Sequence, residues 1–495
     1  MGIFLLCILQ SAVQSIKCKP GRGLPDKMML DSAKTLIGDA LVGMSRRWQL
    51  NGRLYEHPEL WGLNINDLGH LSIDAMDTID LIKEHHTPLL VVNQRQLLKD
   101  AQDILKALSV APAGSKVVYS YKTNCIPGIL KEIHSTGIGA EVISPYELWL
   151  ALKLKISGDE IVYNGVDKSL QSIEEAINAE ILAINIDSKE EYARIEQVVM
   201  RSNKKAGVGI RLGMVRKSQF GLDIDSDEPL EICKKIAERK EYFNLRCIHF
   251  NVTSNAKNSA VYKNCATKAL NFIKQIKETF GFEIEYLDIG GGIGVPTSKN
   301  MSGLEYAIYR TFAVLPKPPS VQEFQPIEVF LKDIVEHIKE NCIRNRIRMP
   351  KIIIEPGRYV TSRAEFLLAG VQSVKEKSNG LKYAITDAGR LSVTFPCDFE
   401  YHETFVANKM RQIPSTIYHV MGRVCTSADW MIKNRLLPQL RPGDIIAVMD
   451  AGAYFSSYST NFAFPRPKII SIENNNVRTL RERETYDYLT ELDHI

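Results

Sequence analysis

KVVYSYK, residues 116–122, is a run of β-branched and aromatic residues that stops on a lysine. Such a run has the composition of a buried strand. Seven more follow: GIGAEVI (137–143), EIVYNG (160–165), ILAINID (181–187), GVGIRL (207–212), LRCIHFN (245–251), EIEYLDIG (283–290) and KIIIEPG (351–357). Between them, segments such as 188–202 and 266–281 return an apolar residue every three or four positions, the spacing of an amphipathic helix. Parallel strands need crossover connections, so eight such units predict an α/β fold: a closed (β/α)8 barrel with its helices outside.

Beyond Arg358 the pattern changes to strands with turn signals, in 381–389, 415–425, 444–454 and 468–476. This predicts a C-terminal, mainly-β domain. The expected division is an N-terminal extension over 1–60, a lead-in over 61–95, the barrel over 96–365 and the β domain over 366–495. Residues 31–50 read as an amphipathic helix. The proline-rich segment 297–326 reads as a loop excursion.

Bulk properties point to small-molecule chemistry. The 495 residues are 45% apolar and 24% charged, with a net charge of only +4. That balance gives no reason to expect a nucleic acid or a membrane as partner. Nine cysteines without CxxC pairing suit a reducing compartment, and no metal is expected. The apolar run Ile3–Leu9 is too short to cross a bilayer and has no basic residue ahead of it. A cytoplasmic protein is therefore expected.

In a parallel barrel the residues just past each strand form the active face. Here they are Lys122, Ser144 with Glu147, Asn164, Arg211, Asn251 with Ser254, Gly290, Gly291 and Gly292, and Glu355 with Arg358. A lysine in a partly desolvated mouth can lose its proton and condense with an aldehyde. A triple glycine lets backbone approach a phosphate and offer it N–H groups. A glutamate beside a pyridine nitrogen keeps that nitrogen protonated, and an arginine can fork onto phosphate or carboxylate. Singly, each has a plain structural reading: a solvated lysine, a tight turn, a surface ion pair. Their order along one barrel is what carries weight.

The series YSYKTN, GAEVISPYEL, NGVDKS, INIDSKEE, IHFNVTSN, DIGGGIG, EPGR, VCTSAD and DAGAY resembles the pyridoxal-phosphate decarboxylases of diaminopimelate, ornithine and arginine, from about Leu71 to Leu489. The resemblance implies an alanine-racemase-like barrel, a homodimer with shared active sites, and an amino-acid substrate. It makes Lys122 the lysine that holds the cofactor. Asn251 stands where the family stacks a histidine on the ring. Ser254, Gly290, Gly291, Gly292, Arg358 and Tyr454 become the phosphate cradle, and Glu355 the partner of the ring nitrogen. Cys425 matches a cysteine that reaches in from the neighbouring subunit and returns a proton to Cα.

The substrate half departs from the pattern. Phe395, Asp398, Phe399 and Glu400 occupy the region where relatives have R-P-x-L-Y, and Thr426 replaces a glutamate. Meso-diaminopimelate is therefore not the expected substrate. Racemisation on the same fold, or a silent relative that binds a protein partner, are the competing readings.

Overall fold

The computed structural model describes residues 40–50, 57–215 and 218–494. The run Ile3–Leu9 and the first part of the 31–50 helix lie outside the described residues; 40–50 is helical, as expected. No helix among the described residues is long and apolar enough to cross a membrane.

All eight runs are parallel strands: β1 (Lys116–Ser120), β2 (Gly139–Val142), β3 (Ile161–Tyr163), β4 (Ala183–Ile186), β5 (Ala206–Gly213), β6 (Phe243–His249), β7 (Tyr286–Asp288) and β8 (Lys351–Ile354). Neighbours pair in chain order, and β8 closes onto β1. The helices start where the sequence offers a cap. Ser144, Ser169 and Ser188 each accept an N–H from the first turn of the helix they precede. Ser144 and Glu147 are thus a helix start: Glu147 accepts from the N–H of Ile143 at 2.8 Å, and burial followed by Glu141 pushes its pKa up to about 7.

Along each strand the inward side chains come every second residue. Val118, Val162, Ala183, Cys247, Tyr286 and Ile353 belong to one buried apolar cluster inside the barrel. Two residues further on, the same faces carry Ser120, Asn164, Asn185, His249, Asp288 and Glu355, and β2 adds Glu141. The interior is apolar at one end and polar at the other because the strands change character in step.

The mainly-β domain is built from both ends of the chain. Strand Leu89–Asn93 lies between Glu365–Glu376, to which it is antiparallel, and Lys468–Glu473, to which it is parallel. All five of its residues are buried: Leu90 and Val92 join the barrel-side core, and Leu89 and Val91 the core of the β domain. An apolar run without alternation is what a strand covered on both faces requires. The proline-rich segment is not wholly a loop. It contains helix Gly303–Phe312, started by a capping box between Ser302 and Glu305 that the prolines around it obscured.

Asp450, fully buried, joins three regions of the chain. Its carboxylate accepts from Trp61 Nε1 at 2.9 Å, Thr297 Oγ1 at 2.8 Å and Ser362 Oγ at 3.0 Å. Asp450→Ala leaves three buried donors without an acceptor, so urea denaturation should show a loss of about 3 kcal/mol or more. A loss under about 1 kcal/mol would show that the three donors find other partners.

Candidate active site

The polar layer at the strand ends is one hydrogen-bonded network. Lys122 sits in the 3-10 turn Tyr121–Thr123 directly after β1, and its Nζ donates to Glu141 Oε2 at 3.2 Å. Ser120 Oγ donates to the same oxygen at 2.5 Å. Asn164 Nδ2 bridges Glu141 Oε1 at 3.0 Å and Glu355 Oε1 at 2.6 Å, while its own oxygen accepts from Asn185 Nδ2 at 2.8 Å. Two carboxylates and a lysine are thereby fixed by amides that cannot titrate.

Charge in this layer is unevenly held. Burial alone would lower the pKa of Lys122, yet Glu141 and then Glu355 hold it above the ordinary lysine value. The sequence-based expectation of a lysine deprotonated by desolvation is therefore reversed in the ligand-free protein: two buried anions keep it an ammonium. Glu355 and Asp288 divide along similar lines. Burial works against both anions, but His249, with Nε2 at 3.6 Å, and Lys122 keep Glu355 well below the usual carboxylate range. Asp288 is pushed up by burial and by Glu355, so it keeps its proton. His249, Asp288 and Glu355 bring donor atoms within 4.8 Å of one another.

Two chambers open on this network. The larger, about 550 Å³, runs from Lys122, Glu141 and Glu355 outward past Asn251 to Arg211 and Phe220. The smaller, about 100 Å³, is bounded by Ser254, Gly291, Gly292, Arg358 and Tyr454, with Lys122 and Asn251 shared between the two. The glycines are needed for close approach: a Cβ at Gly291 would stand 2.3 Å from the carbonyl oxygen of Glu355, and one at Gly292 would stand 2.1 Å from that of Thr253. Gly290, at φ 72°, takes a left-handed turn, and its N–H donates to Asp288 at 2.9 Å.

The residues named from sequence fall into three groups. Lys122, Asn251, Ser254, Gly291, Gly292, Glu355, Arg358 and Tyr454 line the chambers, with Gly290 behind them. Tyr454 reaches the smaller chamber within its own chain. Cys425 and Thr426 lie on an exposed loop before strand Trp430–Leu437 and line neither chamber within one chain. Phe395 and Phe399 form an aromatic cluster with Tyr454 and Tyr458 at the rim of the smaller chamber.

The two carboxylates expected to face substrate do not offer free charge. Asp398 is forked by Arg390, and Glu400 by Arg358, because uncompensated carboxylates at these depths would be costly. Glu141, Asn185 and Asp288 were missed as site residues. Each stands two positions after an inward apolar or glycine residue, in step with the polar positions already recognised.

The family model described as "Pyridoxal-dependent decarboxylase, pyridoxal binding domain" matches residues 94–362. The diaminopimelate decarboxylase of Aquifex aeolicus is 27% identical over 438 residues, covering 86% of this chain and 95% of its own. That of Methanocaldococcus jannaschii is 28% identical over 438 residues, covering 84% and 93%. A crystal structure of the M. jannaschii diaminopimelate decarboxylase in complex with L-lysine aligns with a TM-score of 0.76 at 27% identity, over 88% of this chain and 98% of that one. A Vibrio vulnificus lysine/ornithine decarboxylase complexed with putrescine, at 19% identity and a TM-score of 0.66, shares the fold.

Because Glu141 is the nearest anion to Lys122, Glu141→Gln should lower the midpoint at which Lys122 loses its proton by at least about one pH unit. The ¹⁵N shift of Lys122 Nζ in the ligand-free protein reads this directly. A midpoint unchanged or raised would contradict the pairing.

Proposed function

The chain belongs to the pyridoxal-dependent decarboxylase family, and from that premise we propose that it removes the carboxylate of an amino acid with pyridoxal phosphate held at Lys122. The observation that carries this reading is the position of the Lys122 amine, at the end of β1, 3.2 Å from Glu141 and in one network with the buried Glu355.

The residues fit the cofactor. Both ring nitrogens of His249 and the Oδ1 of Asn251 are buried without a hydrogen-bond partner at the wall of the larger chamber. Unsatisfied groups at that depth are costly unless a ligand engages them or packs against them. Lys122 would hold the aldehyde, and Glu355 would meet the pyridine nitrogen. Gly291, Gly292, Ser254 and Tyr454 would take the phosphate, whereas the Gly290 N–H is already given to Asp288. Asn251 presents an amide where relatives place an aromatic ring, so stacking on that face is weaker.

When bound, pyridoxal phosphate supplies an electron sink for the pair left behind as carbon dioxide departs. The chain's own residues supply charge and protons. Glu355 remains an anion because His249 and Lys122 stabilise it, and Asn164 fixes its Oε1. While its amine is free, Lys122 holds its proton on Nζ under the influence of Glu141; it would give that proton up to take the aldehyde and, once released, would return a proton on its side of Cα. Cys425 is the proton donor we assign to the other side, delivered by a second subunit. Its exposed loop, which lines neither chamber of its own chain, supports a homodimer with shared sites. The seven described cysteines are unpaired, which accords with a cytoplasmic enzyme.

For the substrate we infer an amino acid whose side chain is uncharged or singly cationic. The second amino-acid head of meso-diaminopimelate would meet Phe395 where an arginine is needed, and Asp398 is already held by Arg390.

Purified protein loaded with pyridoxal phosphate should be yellow, and borohydride should fix the cofactor to Lys122 alone. Lys122→Ala should abolish the adduct. An adduct mapped to another lysine removes the assignment. In a carbon dioxide release assay over L- and D-amino acids, diaminopimelate should fall behind the best substrate by a factor of roughly 10⁴. Mixtures of Lys122→Ala and Cys425→Ala that exchange subunits should recover activity. Diaminopimelate as the best substrate would refute the specificity reading, and no recovery would refute shared sites.

A further inference from the structure

Lys122 and Arg358 are the two cations on the wall of the smaller chamber, and Lys122 is engaged by Glu141. Arg358 has no free charge to offer either. Its Nη1 and Nη2 donate to Glu400 Oε2 and Oε1 at 2.8 and 2.7 Å, with side chains only 5% and 1% exposed. Burial disfavours both charges, but each partner keeps the other ionised: Arg358 is the largest influence holding Glu400 down at about 2, and Glu400 holds Arg358 above its usual value.

Neither partner is placed to swing away. Glu400 lies in the short strand Glu400–Tyr401, paired antiparallel with Lys299–Asn300, and His402 Nε2 stands 3.4 Å from its Oε2. Arg358 is held under the ring of Tyr454, with Cζ 5.4 Å from its centroid. A forked guanidinium–carboxylate pair buried in this way presents a dipole to the chamber instead of a net charge.

We propose that Glu400 sets the affinity of this corner for a phosphate group by holding Arg358 as a neutral pair, so that phosphate is recognised by hydroxyl and backbone N–H donors and not by a free cation. The proposal rests on the pyridoxal-phosphate reading above for the identity of the ligand. It makes Glu400 a determinant of cofactor affinity through Arg358, whereas the sequence suggested a substrate contact. Phosphate binding at the corner is correspondingly insensitive to salt, since little net charge is neutralised on binding.

The test is a fluorescence titration of the full-length protein with pyridoxal phosphate, and with inorganic phosphate as competitor, for the wild type, Glu400→Gln, Arg358→Gln and the double variant. Glu400→Gln frees the guanidinium and should tighten both ligands at least about tenfold, with a steeper salt dependence. Arg358→Gln leaves an anion facing phosphate and should weaken both at least about tenfold. The double variant restores neutrality and should stay within about threefold of wild type. A double variant weakened tenfold or more would overturn the proposal, because Arg358 would then leave Glu400 to bind phosphate itself. So would a Glu400→Gln protein that binds no tighter. If Glu400→Gln fails to fold, the salt dependence of the wild type decides: a flat response supports the neutral pair and a steep one refutes it. Wild-type protein that binds inorganic phosphate but not pyridoxal phosphate would defeat the cofactor reading, leaving the order of the variants to judge this one.

Discussion

Glu355, an anion buried at the mouth of the barrel, is the charge around which the rest is arranged. An isolated carboxylate at 2% exposure would take up a proton sooner than remain ionised. It stays charged because Asn164 donates to it, His249 stands beside it and the Lys122 ammonium lies in the same network. Asp288 carries the proton that a second carboxylate at this depth needs. Without this division Asp288 would stand as a competing anion beside Glu355 at the same depth.

Holding these groups in register is the work of the barrel. Each contributes from a different strand, and the two-residue period turns a step along the strand into a step from apolar filling to polar layer. The β domain then closes the open side. Asp450 ties it to the lead-in and to the barrel loops, and Glu400 reaches across to neutralise Arg358. The domain governs the site's electrostatics as well as its shape. Removing either member of the Arg358–Glu400 pair leaves the other buried and charged, so that contact ties the β domain to the charge at the wall of the smaller chamber.

Much of this was legible in the sequence, for identifiable reasons. The eight strands are dense in Val and Ile and end in polar residues, so both their number and their active ends could be read. Lys122, Glu355 and the glycines follow directly from that placement. Glu141 and Asp288 escaped notice because they lie within their strands, where only the inward or outward phase reveals a site residue. The protonation of Lys122 was misjudged because desolvation can be guessed from position, whereas the two opposing carboxylates come from strands 19 or more residues away. Glu400 was misread for the same reason, since its partner Arg358 lies 42 residues earlier, whereas Asp398 is paired with Arg390 only 8 residues away. Arg390 and Arg358 are close in space, and nothing local in 395–400 announces the pairs.

The protonation state of the ring nitrogen of bound pyridoxal phosphate tests the account most directly. With ¹⁵N-labelled cofactor in the intact enzyme near neutral pH, the pyridine resonance should report a protonated nitrogen, and Glu355→Gln should shift it to the unprotonated position. A resonance already unprotonated in the wild type, or one that Glu355→Gln leaves unmoved, would show that the buried carboxylate does not set the charge on which the chemistry depends.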